Sequence, residues 1–189
     1  LNVIPLYWDL DGRFPNHEAN PIKASTLRDL QKTVVAEGAL CGFAFDGDAD
    51  RVGIVDEKGE QIPGDLFMAL LAREMGRSIP ALEMIYDVRS SRVVSETVDG
   101  MGGTAELFRA GTAHIKKRMK ETGAQFAGEL SMHFYFSDFG NCESGDYVML
   151  LMLQLLAREK KPLSQIWHDL KKYGHSGERN FHAQSPIDL

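Results

Sequence analysis

Gly42-Phe43-Ala44-Phe45-Asp46-Gly47-Asp48-Ala49-Asp50-Arg51-Val52-Gly53-Ile54-Val55 sets two short apolar runs on either side of an acidic loop. Runs of this length and composition read as buried strands, which predicts that the loop is held at the lip of a sheet. Alternate residues of an extended segment face one side, so Asp46, Asp48 and Asp50 can converge on one point. Three converging carboxylates repel one another unless a cation lies among them, and hard oxygen ligands suit Mg²⁺ or Ca²⁺. Arg51 follows at once, and its planar fork matches the oxygens of a phosphate beside such a metal.

Other owners of the motif are weighed against this one. Asp-Gly-Asp runs also occur in plain solvated turns. An EF-hand would place Glu57 at its twelfth loop position, but its sixth position demands glycine where this chain has Arg51, and strands flank the loop instead of helices. A haloacid-dehalogenase-type phosphatase would use Asp46 as nucleophile, yet the rest of that pattern is not found. The loop with its strands favours a metal–phosphate site.

Composition narrows the class. At 189 residues the chain can bury a substantial core or two small ones. A net charge of −6 without a basic stripe argues against nucleic acid as a partner. The six histidines are scattered and show no zinc spacing. Cys41 and Cys142 lie far apart, so no disulfide framework is expected, and Cys41 reads as a core residue. The longest apolar run, Val148 to Leu156, is interrupted by Gln154 and reads as a buried helix, so no membrane partner is expected and cytoplasm is the default compartment. Leu1-Asn2-Val3-Ile4-Pro5-Leu6-Tyr7 begins inside an apparent strand, so the chain is expected to be a piece of a longer protein.

The order of patterns predicts an α/β fold. A strand is expected at Asn2–Trp8, a helix near Ser25–Glu37 closed by Gly38, and then the acidic hairpin. A helix follows from Gly64 with Asp65 as its N-cap. Strands at Glu83–Val88, Thr104–Phe108, Gln125–Ala127 and Phe134–Phe136 alternate with helices at Val93–Val98 and Ala113–Thr122. Helices at Ser144–Arg158 and Leu163–Lys172 close the series. This predicts two successive units with mostly parallel, doubly wound mixed sheets flanked by helices, and ligands at the carboxyl ends of strands.

Phe126-Ala127-Gly128-Glu129-Leu130-Ser131-Met132-His133 is the second segment with chemical content. A short strand ends at glycine and then presents Glu129, Ser131 and His133, which together can bond vicinal sugar hydroxyls. The rival is a Ser-His nucleophile pair, for which no third orienting group is evident in the sequence. Arg89 falls at the end of a strand, a favoured ligand position. The loop from Arg109 into the next helix offers N–H groups and cations to an anion, while Lys116, Lys117 and Arg118 are mostly expected on a solvated face. His114 reads as structural.

Asp46-Gly47-Asp48-Ala49-Asp50-Arg51 closely resembles the metal loop of the α-D-phosphohexomutases, the phosphomannomutase/phosphoglucomutase group. Gly128-Glu129-Leu130-Ser131-Met132-His133 is similar to that family's sugar loop, G-E-x-S-G-H. Phe14-Pro15-Asn16-His17-Glu18-Ala19-Asn20-Pro21, Asp87-Val88-Arg89-Ser90-Ser91 and His175-Ser176-Gly177-Glu178-Arg179-Asn180-Phe181 resemble further family segments, the last being the start of its fourth domain. The resemblance implies four domains around a cleft, with a phosphoserine that exchanges its phosphoryl group with a hexose phosphate through a bisphosphorylated intermediate. It further implies that Asp46, Asp48 and Asp50 bind Mg²⁺ and that Arg51 steadies the transferring group. Glu129 and Ser131 would hold sugar hydroxyls with help from His133, and Arg89 stands where the family often has a substrate-contacting lysine.

On this resemblance, residues 1–63 correspond to the C-terminal part of domain 2, 64–174 to domain 3, and 175–189 to a linker and the start of domain 4. The implied partners are mannose or glucose 1- and 6-phosphates and the missing domains 1 and 4. Two positions depart from the family pattern: Met132 stands in place of the sugar-loop glycine, and Thr112 where many relatives carry a substrate-contacting histidine. No T-A-S-H-N-P-like stretch with the phosphoserine occurs in the chain, so it is expected to be inactive alone. The rival functions are a metal-dependent phosphatase and a non-catalytic sugar- or metal-binding paralogue.

Overall fold

A computed structural model describes residues 1–174. The expected start of a fourth domain, at 175–189, lies outside the described residues. The described chain is mixed α/β, as the alternating patterns predict.

The first unit is small. A 3₁₀ turn at Ala24–Thr26 leads into α1 (Arg28–Glu37), which stops at Gly38 in the left-handed conformation, φ 61°. It covers a hairpin of β1 (Cys41–Phe45) and β2 (Val52–Asp56), antiparallel with Phe45 opposite Val52. The strand expected at Asn2–Trp8 does not form. Pro5 has no N–H to give, and Tyr7 has φ 54°, which breaks the extended run. Apolar composition alone does not supply a partner edge for the backbone groups.

The second unit is built around α2 (Gly64–Met75), in which every residue but Arg73 is buried. Pro63, not Asp65, occupies its N-cap. Asp65 sits inside the first turn, where Oδ1 accepts from Leu66 N at 2.9 Å and Oδ2 from Ser91 N at 3.2 Å. One carboxylate thus serves an orphan helix N–H and also ties down the loop after the next strand.

The sheet of this unit comprises β3 (Glu83–Asp87), β4 (Thr104–Phe108), β5 (Phe126–Gly128), β6 (Phe134–Phe136) and β7 (Cys142–Glu143), in the order β4-β3-β5-β6-β7. The first three are parallel and the last two join antiparallel, so the parallel part is confined to β4-β3-β5. The remaining helices are α3 (Val93–Asp99), α4 (Thr112–Thr122), α5 (Gly145–Glu159) and α6 (Leu163–His168), the last four residues shorter than expected. Side-chain alternation decides the faces. Met84, Tyr86, Phe126, Phe134 and Phe136 join the large core with α2, α3, α5 and α6, whereas Ile85, Ala127 and Tyr135 face Ile115 and Met119 of α4. Helices on both faces of a parallel core make the unit doubly wound.

The two units are joined through the hairpin. Val52 and Ile54 point into the large core, while Val55 turns to Leu27 and Val34 beside α1. At the far end of β2, the buried Asp56 carboxylate accepts from Trp167 Nε1 of α6 at 2.8 Å. Its neighbour Glu57 accepts from both the amide and the hydroxyl of Ser164. Among the described residues, no helix is long and apolar enough to cross a membrane.

Candidate functional site

The acidic loop closes the β1–β2 hairpin. Asp46 N donates to Arg51 O and Ala49 N to Asp46 O, each at 3.3 Å, with Ala49 at φ 60°. This fold-back brings one ligand atom from each of Asp46, Asp48 and Asp50 within 4.8 Å of the others. Arg51 donates twice to Asp46, from its amide to Oδ1 (3.1 Å) and from Nε to Oδ2 (2.7 Å), and its Nε lies 3.8 Å from Asp50 Oδ1. Burial disfavours a charge on Asp46, but the bonds from Arg51 outweigh it and hold that carboxyl below the usual range. Asp50 moves the other way, since burial and the adjoining Asp46 carboxylate both push it up. Hard oxygens crowded at this spacing, one of them resisting ionisation, are a donor set that a divalent cation fits.

The second loop leaves β5 and turns back into β6. Glu129 N donates to His133 O and Met132 N to Glu129 O, both at 3.0 Å. Met132 takes the left-handed conformation that glycine adopts most readily, φ 69°, with its side chain buried in the large core. Ser131 Oγ lies 2.9 Å from His133 Nδ1. The two loops meet directly: Arg51 and His133 form an isolated antiparallel bridge, and Val52 N donates to Met132 O at 3.4 Å. His133 Nε2 therefore stands 3.6 Å from Asp50 Oδ2. That neighbour is 83 positions away in the chain and was invisible from the Ser-His spacing.

The loops after β3 and β4 meet the second loop at the carboxyl ends of the parallel strands. Arg89 grips the fully buried Asp87, Nη2 to Oδ2 at 2.6 Å, and the same Nη2 lies 3.7 Å from Glu129 Oε1. Ser90 Oγ donates to the other Asp87 oxygen at 2.6 Å. Gly111 N donates to Glu129 Oε1 at 2.7 Å, and Tyr135 OH to Oε2 at 2.6 Å. Thr112 Oγ1 is 3.0 Å from the same phenol oxygen. All eight residues singled out from sequence (Asp46, Asp48, Asp50, Arg51, Arg89, Glu129, Ser131 and His133) thus lie on neighbouring loops. Sequence reasoning missed Asp87 and Tyr135. The second had one usable signal, a hydroxyl between two phenylalanines of a buried strand, which must find a partner.

Other candidates resolve differently. Lys116 pairs with Glu143 at 2.6 Å and Arg118 with Glu106 at 2.9 Å, so these cations are committed to ion pairs rather than to a free helix face. His114 is exposed. Asp56, Glu60 and His168 also approach one another, but the Asp56 carboxylate is already used by Lys58 N, Glu60 N and Trp167 Nε1.

Residues 63–173 match the family model described as phosphoglucomutase/phosphomannomutase, alpha/beta/alpha domain III, and residues 1–59 match domain II of the same description. The chain is 40% identical over 174 residues to a phosphomannomutase of Methanocaldococcus jannaschii, covering 92% of this chain and 39% of that protein. It is 37% identical over all 189 residues to the phosphomannomutase of Escherichia coli, covering 41% of that protein. Among solved structures, a phosphoglucomutase/phosphomannomutase family protein of Burkholderia thailandensis matches with TM-score 0.84 and 36% identity, over 89% of this chain and 37% of that one. The chain thus spans about two fifths of the length of the curated relatives it matches.

Proposed function

The chain belongs to the phosphoglucomutase/phosphomannomutase family, and from that membership we propose that it carries the metal- and sugar-binding part of a cytoplasmic hexose-phosphate mutase. The observation that carries this reading is the bridge between Arg51 and His133, which sets an acidic cation site against a loop of sugar-type hydrogen-bonding groups. The parent reaction interconverts mannose or glucose 1-phosphate and 6-phosphate by phosphoryl transfer through a phosphoserine outside this chain. By this reading residues 1–63 belong to the second domain, 64–174 to the third and 175–189 to the start of the fourth.

Asp46, Asp48 and Asp50 would hold Mg²⁺, which supplies charge stabilisation to a transferring phosphoryl group when bound. Arg51 orients Asp46 through two bonds and keeps its terminal guanidinium nitrogens for a phosphate. Glu129 and Ser131 accept and donate to vicinal hydroxyls in either sugar orientation, and His133 adds a donor beside Ser131. Arg89, held by Asp87, offers a cation beside Glu129. Positioning and charge stabilisation are what phosphoryl transfer mainly needs.

Titration of the chain with Mg²⁺ by calorimetry, followed by ligand-observed NMR with mannose 1-phosphate, tests the proposal. The expected result is saturable Mg²⁺ binding that Asp48→Asn abolishes, together with sugar-phosphate binding that Glu129→Gln abolishes. Absence of both in the wild type refutes the reading. Turnover of hexose 1-phosphate by this chain alone would refute the role of an external phosphoserine.

A further inference from the structure

We propose that Tyr135 is a positioning residue that, with Thr112, locks the Glu129 carboxylate and so sets which hexose epimers the proposed sugar site accepts. The inference rests on the sugar-binding reading of Glu129 given above.

Proton inventory fixes the direction of every bond in this chain of groups. An ionised carboxylate only accepts, so the single Tyr135 proton goes to Glu129 Oε2, at 2.6 Å. The Thr112–Tyr135 contact at 3.0 Å must then run the other way, with the threonine hydroxyl donating to the phenol oxygen. Tyr135 is fully buried on the α4 face of the sheet, and burial and the bond to Glu129 push its pKa far up, so the donor does not switch off at physiological pH. Donors aligned in one direction polarise one another and stiffen the chain.

The effect falls on Glu129, whose side chain is only 4% exposed. Gly111 N occupies one oxygen and Tyr135 OH the other. A carboxylate has about four acceptor sites, so two remain, and their directions are dictated by the bonds already made. A freely rotating carboxylate adapts to axial and equatorial hydroxyls alike, whereas a clamped one accepts from a single arrangement. Discrimination that depends on leaving a buried polar group unpaired is the kind that a hydrogen-bonding site supplies most strongly.

The test uses the 189-residue chain, NMR titrations with mannose, glucose and galactose 1-phosphates, and thermal melting. Wild type is expected to separate the epimers, Tyr135→Phe to shrink the affinity ratio at least about fivefold, and Thr112→Val to fall between them. Equal weakening for all three sugars with the ratio kept indicates a merely structural role and overturns the inference. Wild-type binding without discrimination overturns it too while leaving the sugar-site reading intact. No binding of any hexose phosphate overturns both. Should Tyr135→Phe not fold, the Thr112→Val ratio decides, and an unchanged ratio refutes the proposal.

Discussion

A Cβ on Gly145 would lie 2.7 Å from the carbonyl oxygen of Ala49, in the middle of the acidic loop. The first turn of α5 can seat that loop only because position 145 is bare. Phe45 closes the same space, with ring carbons 3.1 Å from the hypothetical Cβ.

Gly145→Ala therefore has to displace the Ala49 carbonyl or the helix. Overpacking of this kind costs about 1–3 kcal/mol. Because the moved carbonyl lies between Asp48 and Asp50, the proposed Mg²⁺ affinity is expected to drop by about tenfold, or ~1.4 kcal/mol. Calorimetric Mg²⁺ titration and thermal melting of the variant read both effects. An unchanged affinity would show that the loop is not seated by α5.

Met132 has φ 69°, yet glycine there is not expected to stabilise the protein. Relief of the left-handed conformation returns about 1–2 kcal/mol. Loss of a methionine side chain that is 1% exposed and set in the large core costs about 2–5 kcal/mol. Met132→Gly should lower stability by about 1–3 kcal/mol in urea unfolding. A more stable variant would mean that the side chain contributes little to the core.

Glu57 supplies a pH dependence to the junction with α6. Burial raises its pKa, but the hydroxyl and amide of Ser164 outweigh burial and hold it below the ordinary value. A carboxyl with a depressed folded pKa adds stability above its unfolded pKa of about 4.3, and that stability is lost as pH falls through the folded value. Ser164→Ala should cost about 1–2 kcal/mol at pH 7. The gap from wild type should narrow in acid, as measured by urea melts at about pH 7 and about pH 3. A gap independent of pH would assign the loss to packing instead.

The two thiols should differ sharply. Burial, helped by the charge of Glu57, pushes the Cys41 thiol up to about 12, whereas Cys142 is exposed. Thiolate is the reactive form, so alkylation at about pH 8 should modify one equivalent rapidly and the second only in denaturant. Cys142→Ser should abolish the fast phase. Rapid modification of both thiols in the native protein would contradict the partial burial of Cys41 against the core.

The sequence alone determined the kinds of chemistry present and most of the elements that carry them. Asp46, Asp48, Asp50 and Arg51 were legible because alternation in an extended loop is a local property. Glu129, Ser131 and His133 were legible because a strand ending in glycine is local too. The helix stop at Gly38 and the strands from Glu83 to Phe136 follow from the same short-range patterns. Local pattern misled at Asn2–Trp8, where an apolar run has no partner edge, and at Asp65, which lies inside the first turn of α2 and bonds Ser91. What only the tertiary structure decided is which groups are brought together. The bridge from Arg51 to His133 spans 82 residues, and the contacts of Glu129 with Gly111 and Tyr135 depend on the order β4-β3-β5-β6. Strand order is set by long-range burial summed over the whole core, and no short stretch of sequence carries that information.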